Sequence, residues 1–135
     1  MSLAFNKINI FVQNLGLAGH NLSTDQLAVA LSDTAPTATV TSFAGEISYT
    51  NVSGSNPNYM TTTSFTNSSG TSKLILSAIT MTATGTVPQF RYIGIKDVTT
   101  SKVIAWFDYG SELNMQNGDS LTITPDASNG LIQIV

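Results

Sequence analysis

The run of residues 89–110, QFRYIGIKDVTTSKVIAWFDYG, constrains the fold of this chain more than any other segment. Its second half alternates two sets of residues, with Val103, Ala105, Phe107 and Tyr109 on one side and Ile104, Trp106 and Asp108 on the other. Branched and aromatic residues with a period of two are typical of β-strands in or beside a core. The polar residues 97–101 between the halves suit a turn. The run therefore predicts two antiparallel strands, and it contains no pattern typical of catalysis.

Further strands are predicted from the same kind of pattern, over residues 27–31, 72–84, 120–124 and 131–135. Asn117-Gly118 predicts a tight type I′ hairpin turn before the strand at 120–124, because both central positions of that turn need positive φ. About seven to nine short strands at even spacing predict an all-β fold, either an antiparallel β-sandwich or a jelly-roll-like barrel. We expect a single domain over residues 1–135 whose core contains Leu74, Leu76, Ile93, Ile95, Val103, Ala105, Phe107, Leu121 and Ile123.

Two segments allow more than one interpretation. Residues 3–15 carry apolar residues at helical spacing but also alternate at Ile8, Ile10 and Val12, and the glycines that follow favour a short N-terminal helix. Residues 37–70 form a Thr/Ser-rich region with few apolar anchors. They fit edge strands at 46–50 and 59–65, or an arm that orders against a neighbouring subunit. The sparse anchors predict that deleting residues 52–58 weakens assembly more than folding.

Composition excludes several classes of function. The 135 residues include no cysteine, so disulfides and thiolate metal sites are ruled out. Only 10% of residues are charged and the net charge is −3, with five basic residues that form no stripe. We therefore expect no nucleic-acid binding and no membrane attachment. The N-terminus lacks the features of a signal peptide, which predicts a protein that is cytoplasmic or leaves the cell inside a larger particle.

Few side chains are candidates for chemistry. His20 is the sole histidine, and Asp25 is the nearest carboxylate that could hold its imidazole, but a capping or loop role is favoured because metal or acid–base work needs partners. Asp108 and Glu112 are the closest pair of carboxylates that could work across a cleft, as glycosidases require, but a turn between them favours structural roles. We therefore predict no catalytic, cofactor-binding or metal-binding residues, and a protein that is not an enzyme.

Aromatic residues offer a second kind of site. A sugar-stacking platform could be built from Tyr49, Tyr59, Tyr92, Trp106 and Tyr109. Tyr92 and Trp106 lie in the two most apolar strands, so burial in the core or in an interface is favoured. Three sequons begin at Asn21, Asn51 and Asn67, and we interpret them as chance matches in an Asn/Ser-rich chain.

Several motifs together resemble a family of small structural proteins encoded among the head genes of tailed bacteriophages. They are AFNKINIFVQNL and HNLSTDQLAVALSDTAPTA near the start, QFRYIGIKD in the middle, and WFDYGSELNMQNGDSLTITPDASNGLIQIV at the end. The resemblance spans about two thirds of the chain and leaves out the Thr-rich middle. It implies a virion protein assembled in the host cytoplasm, specifically a capsid decoration (cement) protein. The implied partners are the major capsid protein and further copies of the chain.

A function of another class also fits the sequence. The chain could be a carbohydrate- or receptor-binding β-sandwich module of a fibre or tail. Exposed, coplanar aromatic rings with a nearby Asp or Asn would favour that alternative, whereas aromatic rings buried at a subunit contact would favour capsid decoration.

Overall fold

Antiparallel strands make up most of the regular structure in the computed structural model, which describes residues 3–135. The helix in this part of the chain is α1 (Phe11–Gly16). The strands are β1 (Asn6–Lys7), β2 (Leu27–Ser32), β3 (Tyr59–Met60), β4 (Thr62–Ser68), β5 (Thr71–Leu76), β6 (Ile79–Thr82), β7 (Phe90–Asp97), β8 (Lys102–Leu113), β9 (Ser120–Ile123) and β10 (Ile132–Ile134). They form a five-stranded sheet in the order β1-β8-β7-β2-β3, a three-stranded sheet in the order β10-β5-β4, and a two-stranded sheet of β6 and β9. The predicted all-β, sandwich-like fold is therefore confirmed.

The predicted central hairpin is present as β7 and β8. Ile93 lies opposite Phe107 in this ladder, and residues 98–101 form the turn. On its other edge, β7 pairs with β2 from Leu27 to Ser32. All six residues of β2 are buried, because one face of the strand meets the core and the other is covered by the chain that follows it. This explains why residues 27–31 form a continuous apolar run without alternation.

Most of the predicted core residues are buried in one hydrophobic cluster to which all three sheets contribute. The buried members of the predicted set are Leu74, Leu76, Ile93, Ile95, Val103 and Ala105. The remaining three, Phe107, Leu121 and Ile123, are only half-buried. These three side chains line a cavity that is open to one side, so they stay partly in contact with solvent.

The free edge of β2 is closed by residues from the Thr/Ser-rich region. β3 pairs with β2 only at Leu27 and Ala28. Beyond that point the Asn58 side-chain amide donates a hydrogen bond to the Val29 carbonyl (2.8 Å). The Tyr49 hydroxyl accepts one from the Leu31 amide (2.9 Å), and burial raises the pKa of that hydroxyl well above its usual value. Residues 46–60 therefore pack on their own sheet.

The two edge strands predicted in this region differ in outcome. Residues 46–50 form no strand, and only a single bridge joins Glu46 to Ser32. Side-chain bonds from Tyr49 replace the ladder there, which no alternation in the sequence signals. The other segment is confirmed in outline, because residues 59–65 supply β3 and the first part of β4.

The N-terminal helix begins later than the apolar spacing suggested. Residues 6–7 pair with β8 as β1, and α1 begins only at Phe11. Phe11 and Ile8 are buried, whereas Val12 is exposed. The short N-terminal helix is therefore present, but the alternation of Ile8, Ile10 and Val12 corresponds to no strand, since β1 ends at Lys7 and Val12 lies in α1.

The predicted long strand over residues 72–84 is wrong, since the chain leaves one sheet and enters another within it. β5 pairs with β4 and β10, and β6 pairs with β9. Between them, the Ser77 amide donates to the carbonyl of Thr61 (2.9 Å) and Ala78 is exposed. The apolar residues continue through this crossing, so the sequence carries no sign of it.

The type I′ hairpin predicted at Asn117-Gly118 is also wrong. A turn is present, since the Asp119 amide donates to the Gln116 carbonyl (2.9 Å), and Gly118 has φ +93°. Asn117 is not among the residues with positive φ, so the turn has the pattern of type II. It joins no hairpin, because β9 pairs with β6 and not with the strand before it.

Candidate interaction surface

A patch of aromatic and charged side chains lies where β7 and β8 run side by side. We call Arg91, Tyr92, Trp106 and Asp108 the Trp106 patch. Tyr92 lies opposite Asp108 and Trp106 lies opposite Gly94, so Tyr92 and Trp106 are diagonal neighbours across the two strands. The rings of Tyr92 and Trp106 meet edge to face, with centroids 6.1 Å apart. All four side chains are half-exposed, so the patch is accessible to a partner without unfolding.

Tyr92, Trp106 and Asp108 face away from the core because side chains alternate along a strand, and Arg91 joins them where the register of β7 shifts between Phe90 and Tyr92. Ile93 and Ile95 point into the space between the sheets, so Tyr92 and Gly94 face outward. The outward surface at Gly94 is covered by Phe43, whose ring would lie only 2.3 Å from a Cβ at that position. Glycine is required there because the aromatic ring rests directly on the strand backbone.

Arg91 and Asp108 form a two-pronged ion pair. The guanidinium donates from Nε to Oδ1 (2.8 Å) and from a terminal nitrogen to Oδ2 (2.9 Å). These bonds, with one from the Gly110 amide, hold the pKa of Asp108 below its usual value, and the same pair raises the pKa of Arg91. The Arg91 guanidinium also lies 5.4 Å from the centre of the Tyr92 ring, within reach of a cation–π contact. The charge of each partner is therefore already balanced within the patch.

The second carboxylate considered with Asp108 is not brought into a site. Glu112 is exposed, and neither residue lines the cavity beside β9 or the smaller one beside Phe43. Asp108 is occupied by Arg91 and by the backbone. The pair has a structural arrangement and not that of two carboxylates facing across a cleft.

The five aromatic residues weighed as a platform are spread over different surfaces. Tyr49 is committed to the edge of β2, Tyr59 is exposed on β3, and Tyr109 lines the larger cavity. The rings of Tyr92 and Trp106 are inclined at 70°. A flat stacking surface for a sugar needs rings that are nearly coplanar, so these residues do not form one.

His20 is buried and pairs with Asp97, so Asp25, the carboxylate considered for it, is not its partner. Its Nδ1 lies 2.8 Å from Oδ2 of Asp97, and neither side chain is exposed. Asp25 instead accepts a hydrogen bond from the Asn21 amide (2.6 Å), which closes the local turn. Asp97 could not be singled out from the sequence because 77 residues separate it from His20.

The other contacts around this pair also hold the chain in place. The second oxygen of Asp97 accepts from the Thr100 amide (3.1 Å) in the β7–β8 turn. His20 Nε2 and the Thr100 hydroxyl are buried without a partner. Within residues 3–135 no group of three or more His, Asp or Glu side chains could hold a metal ion. The pair therefore links the loop after α1 to the central hairpin.

A cavity of about 700 Å³ opens between the end of β8, β9 and the N-terminal segment. We call six of its apolar and aromatic lining residues the trough: Phe5, Phe107, Tyr109, Leu121, Ile123 and Leu131. Phe5 and Phe107 pack edge to face at 5.8 Å, and Phe5 remains 39% exposed. An exposed apolar surface of this kind is common at sites of protein association.

The three sequon asparagines are all exposed and serve local turns or contacts. The Asn21 side chain accepts from the Ser23 amide (3.3 Å), and the Asn51 amide donates to the Thr86 carbonyl (2.7 Å). Asn67 donates to the Ser72 hydroxyl (3.3 Å) across the β4–β5 turn. These bonds give each asparagine a structural role.

Comparisons with protein-family models, with curated proteins and with solved structures found no match for this chain. In the part of the chain that the structure describes, no helix has the length and apolar character to cross a membrane.

Proposed function

We propose that this chain is a non-enzymatic structural protein of a tailed-bacteriophage virion, a capsid decoration protein that binds the major capsid protein. The observation that carries the proposal is the Trp106 patch. Arg91 and Tyr92 belong to the segment QFRYIGIKD, and Trp106 and Asp108 belong to the segment that begins WFDYG. Two of the four segments that carry the family resemblance therefore meet in one half-exposed patch.

The composition of the patch supports a role in protein contact. Tryptophan, tyrosine and arginine are the residues most enriched where truncation weakens an interface strongly. Tryptophan and tyrosine contribute large, stiff contact surfaces at a small entropic cost. Because Arg91 and Asp108 already neutralise each other, covering them leaves no unpaired charge, which would otherwise oppose burial.

The low charge of the chain supports a second contact, between copies. Many copies crowded on a shell repel one another little when each carries a net charge of only −3. The trough is the apolar surface available for such a contact, and we include a homo-oligomer in the proposal. A charged residue in place of Phe5 should then reduce self-association, as measured by sedimentation velocity.

The test is rebinding to capsids that lack the protein, prepared from phage in which its gene is deleted. We expect wild-type protein to restore a regular density on the capsid surface in cryo-electron microscopy. Double substitution of Arg91→Ala and Tyr92→Ala should weaken rebinding at least about tenfold, as loss of a strong contact residue does. Thr80→Ala on the exposed two-stranded sheet is the control and should rebind normally.

Two outcomes would contradict the proposal. One is that wild-type protein that is folded, as shown by a cooperative melting transition, fails to bind capsids. The other is that it binds a glycan array through the same patch and not the capsid, which would favour the receptor-binding alternative.

A further inference from the structure

The chain contains two Asn-Gly sequences, Asn117-Gly118 and Asn129-Gly130. Asn-Gly is the sequence most prone to spontaneous deamidation, since glycine leaves its own amide nitrogen unhindered. In that reaction the glycine nitrogen attacks the asparagine Cγ and the side-chain nitrogen leaves as ammonia. Water then opens the resulting five-membered imide to aspartate or isoaspartate. The two sites share this chemistry, so any difference in their rates in the folded protein comes from the fold.

Asn117 is held loosely. It is exposed, and its side chain makes no hydrogen bond to any residue in 3–135. A Cβ placed on Gly118 would have no atom within 4 Å, so there is open space beside the bond where the imide would form. A single restraint acts on the attacking nitrogen, because the Gly118 amide donates to the Ala83 carbonyl (2.8 Å).

Asn129 is held on every side by Asp126. Its backbone amide donates to Oδ1 (2.8 Å) and its side-chain amide donates to Oδ2 (2.9 Å), so the Cγ cannot turn towards the glycine. The attacking nitrogen of Gly130 donates to the Asp126 carbonyl (2.9 Å). A Cβ on Gly130 would lie 2.6 Å from the Leu74 carbonyl oxygen, so the site is crowded as well.

We propose that Asn117 is a site of spontaneous deamidation in the folded protein and that Asn129 is protected by its bonds to Asp126. Reaction at Asn117 requires only that the 116–119 turn releases the Ala83 carbonyl, which is a small local opening. Reaction at Asn129 requires loss of three hydrogen bonds to one residue at the start of the loop before β10.

The product changes the surface of the turn. Deamidation replaces a neutral amide by a carboxylate two residues from Asp119, whose side chain accepts from the Gln116 amide (2.8 Å). The net charge of the chain changes from −3 to −4. Isoaspartate also lengthens the backbone of a turn that is bonded, through the Gly118 amide, to Ala83 just after β6.

The experiment is peptide mapping by mass spectrometry of wild-type protein incubated at neutral pH, with and without urea. In the folded protein we expect Asn117 to deamidate at least about tenfold faster than Asn129, because its reaction needs the loss of one hydrogen bond and that of Asn129 needs the loss of three. In urea the two rates should be similar, since both sequences are Asn-Gly. Asp126→Ala should speed the reaction at Asn129 and leave Asn117 unchanged.

Three results would overturn the proposal: equal rates at the two sites in the folded protein, a faster rate at Asn129, or no reaction at Asn117 over the time in which the urea-unfolded chain reacts completely. If Asp126→Ala unfolds, both sites will react at the rate seen in urea. The comparison of the two sites in folded wild-type protein still decides the question.

Discussion

His20 and Asp97 are joined by a 2.8 Å contact between Nδ1 and Oδ2, and the two side chains are completely shielded from solvent. A buried carboxylate that loses its partner has nothing to compensate its desolvation. The contact therefore joins the loop after α1 to the central hairpin by a buried polar interaction as well as by packing.

We predict that Asp97→Ala or His20→Ala lowers the free energy of unfolding by about 3 kcal/mol. The double variant should cost clearly less than the sum of the two single variants, because the pair is lost only once. Urea denaturation monitored by tryptophan fluorescence measures this. Asp33→Ala, at an exposed position after β2, is the control and should have little effect. Additive single effects would show that the two residues act independently.

Gly94 provides a second test, directed at the contact with Phe43. Gly94→Ala places a methyl group where the Phe43 ring lies and should destabilise the protein by about 1–3 kcal/mol. In a Phe43→Ala background the same change should cost almost nothing. Gly16→Ala is the matched control, since a Cβ there meets no atom within 4 Å. Thermal melts of wild-type protein, the two single variants at Gly94 and Phe43, and the double variant measure how strongly the two residues depend on each other. An equal cost of Gly94→Ala in both backgrounds would contradict the contact.

A single substitution at Asn58 tests the Thr/Ser-rich region better than the deletion of residues 52–58. The predicted deletion of residues 52–58 would remove Asn58 and the buried Val52, and so would damage the fold itself. Asn58→Ala alone should destabilise by about 1–3 kcal/mol, because the Val29 carbonyl loses the shorter of its two side-chain hydrogen bonds and keeps only that from the Tyr49 hydroxyl (3.2 Å). Ser55→Ala at the exposed tip should be neutral. Comparing the urea midpoints of these two variants tests whether Asn58 closes the edge of β2. Similar midpoints would refute that role.

The ion pair of Arg91 and Asp108 predicts a dependence of stability on pH. The pKa of Asp108 is lower in the folded protein than its usual 3.8, so its contribution is present above that value. The contribution is lost as the pH falls through the folded pKa. The melting temperature of wild-type protein should therefore exceed that of Asp108→Asn at neutral pH, and the difference should shrink in strong acid and in high salt. A difference that stays constant with pH would rule this out.

Gly118 remains a predicted weak point of the fold although the turn type differs from expectation. Its φ of +93° is unfavourable for a β-branched residue, so Gly118→Val should destabilise by about 1–3 kcal/mol. Asn117→Ala, at the neighbouring position without positive φ, should change little. Scanning calorimetry of both variants checks this, and an unchanged midpoint for Gly118→Val would show that the turn adapts.

The sequence predicted those elements whose patterns are local. The hairpin of β7 and β8 follows from alternation, and β2 follows from its apolar run, since each pattern lies within a few residues. The break at Ser77 was missed because pairing partners, and not the apolar run itself, decide where a strand changes sheets. All four residues of the Trp106 patch lie in two recognisable sequence segments, but the ion pair between Arg91 and Asp108 could be found only from the register of the strands.

Contacts between residues that are far apart in the sequence could not be predicted, for the same reason. Asp97 looked like one more turn carboxylate, and nothing marked it as the partner of His20. Tyr49 and Asn58 looked like residues of a loosely packed region, whereas they complete the hydrogen bonding of a buried strand.

The closed edge of β2 has a consequence for how this protein behaves when crowded. Proteins commonly keep exposed strand edges from joining by placing lysine or other charges on them, and this chain has few charges to use. Asn58, Tyr49 and Ile47 take up the backbone groups of β2 that another strand would seek. Aggregation by strand addition at this edge is blocked by hydrogen bonds that are insensitive to ionic strength. Such protection persists in concentrated salt, where charge repulsion would fail.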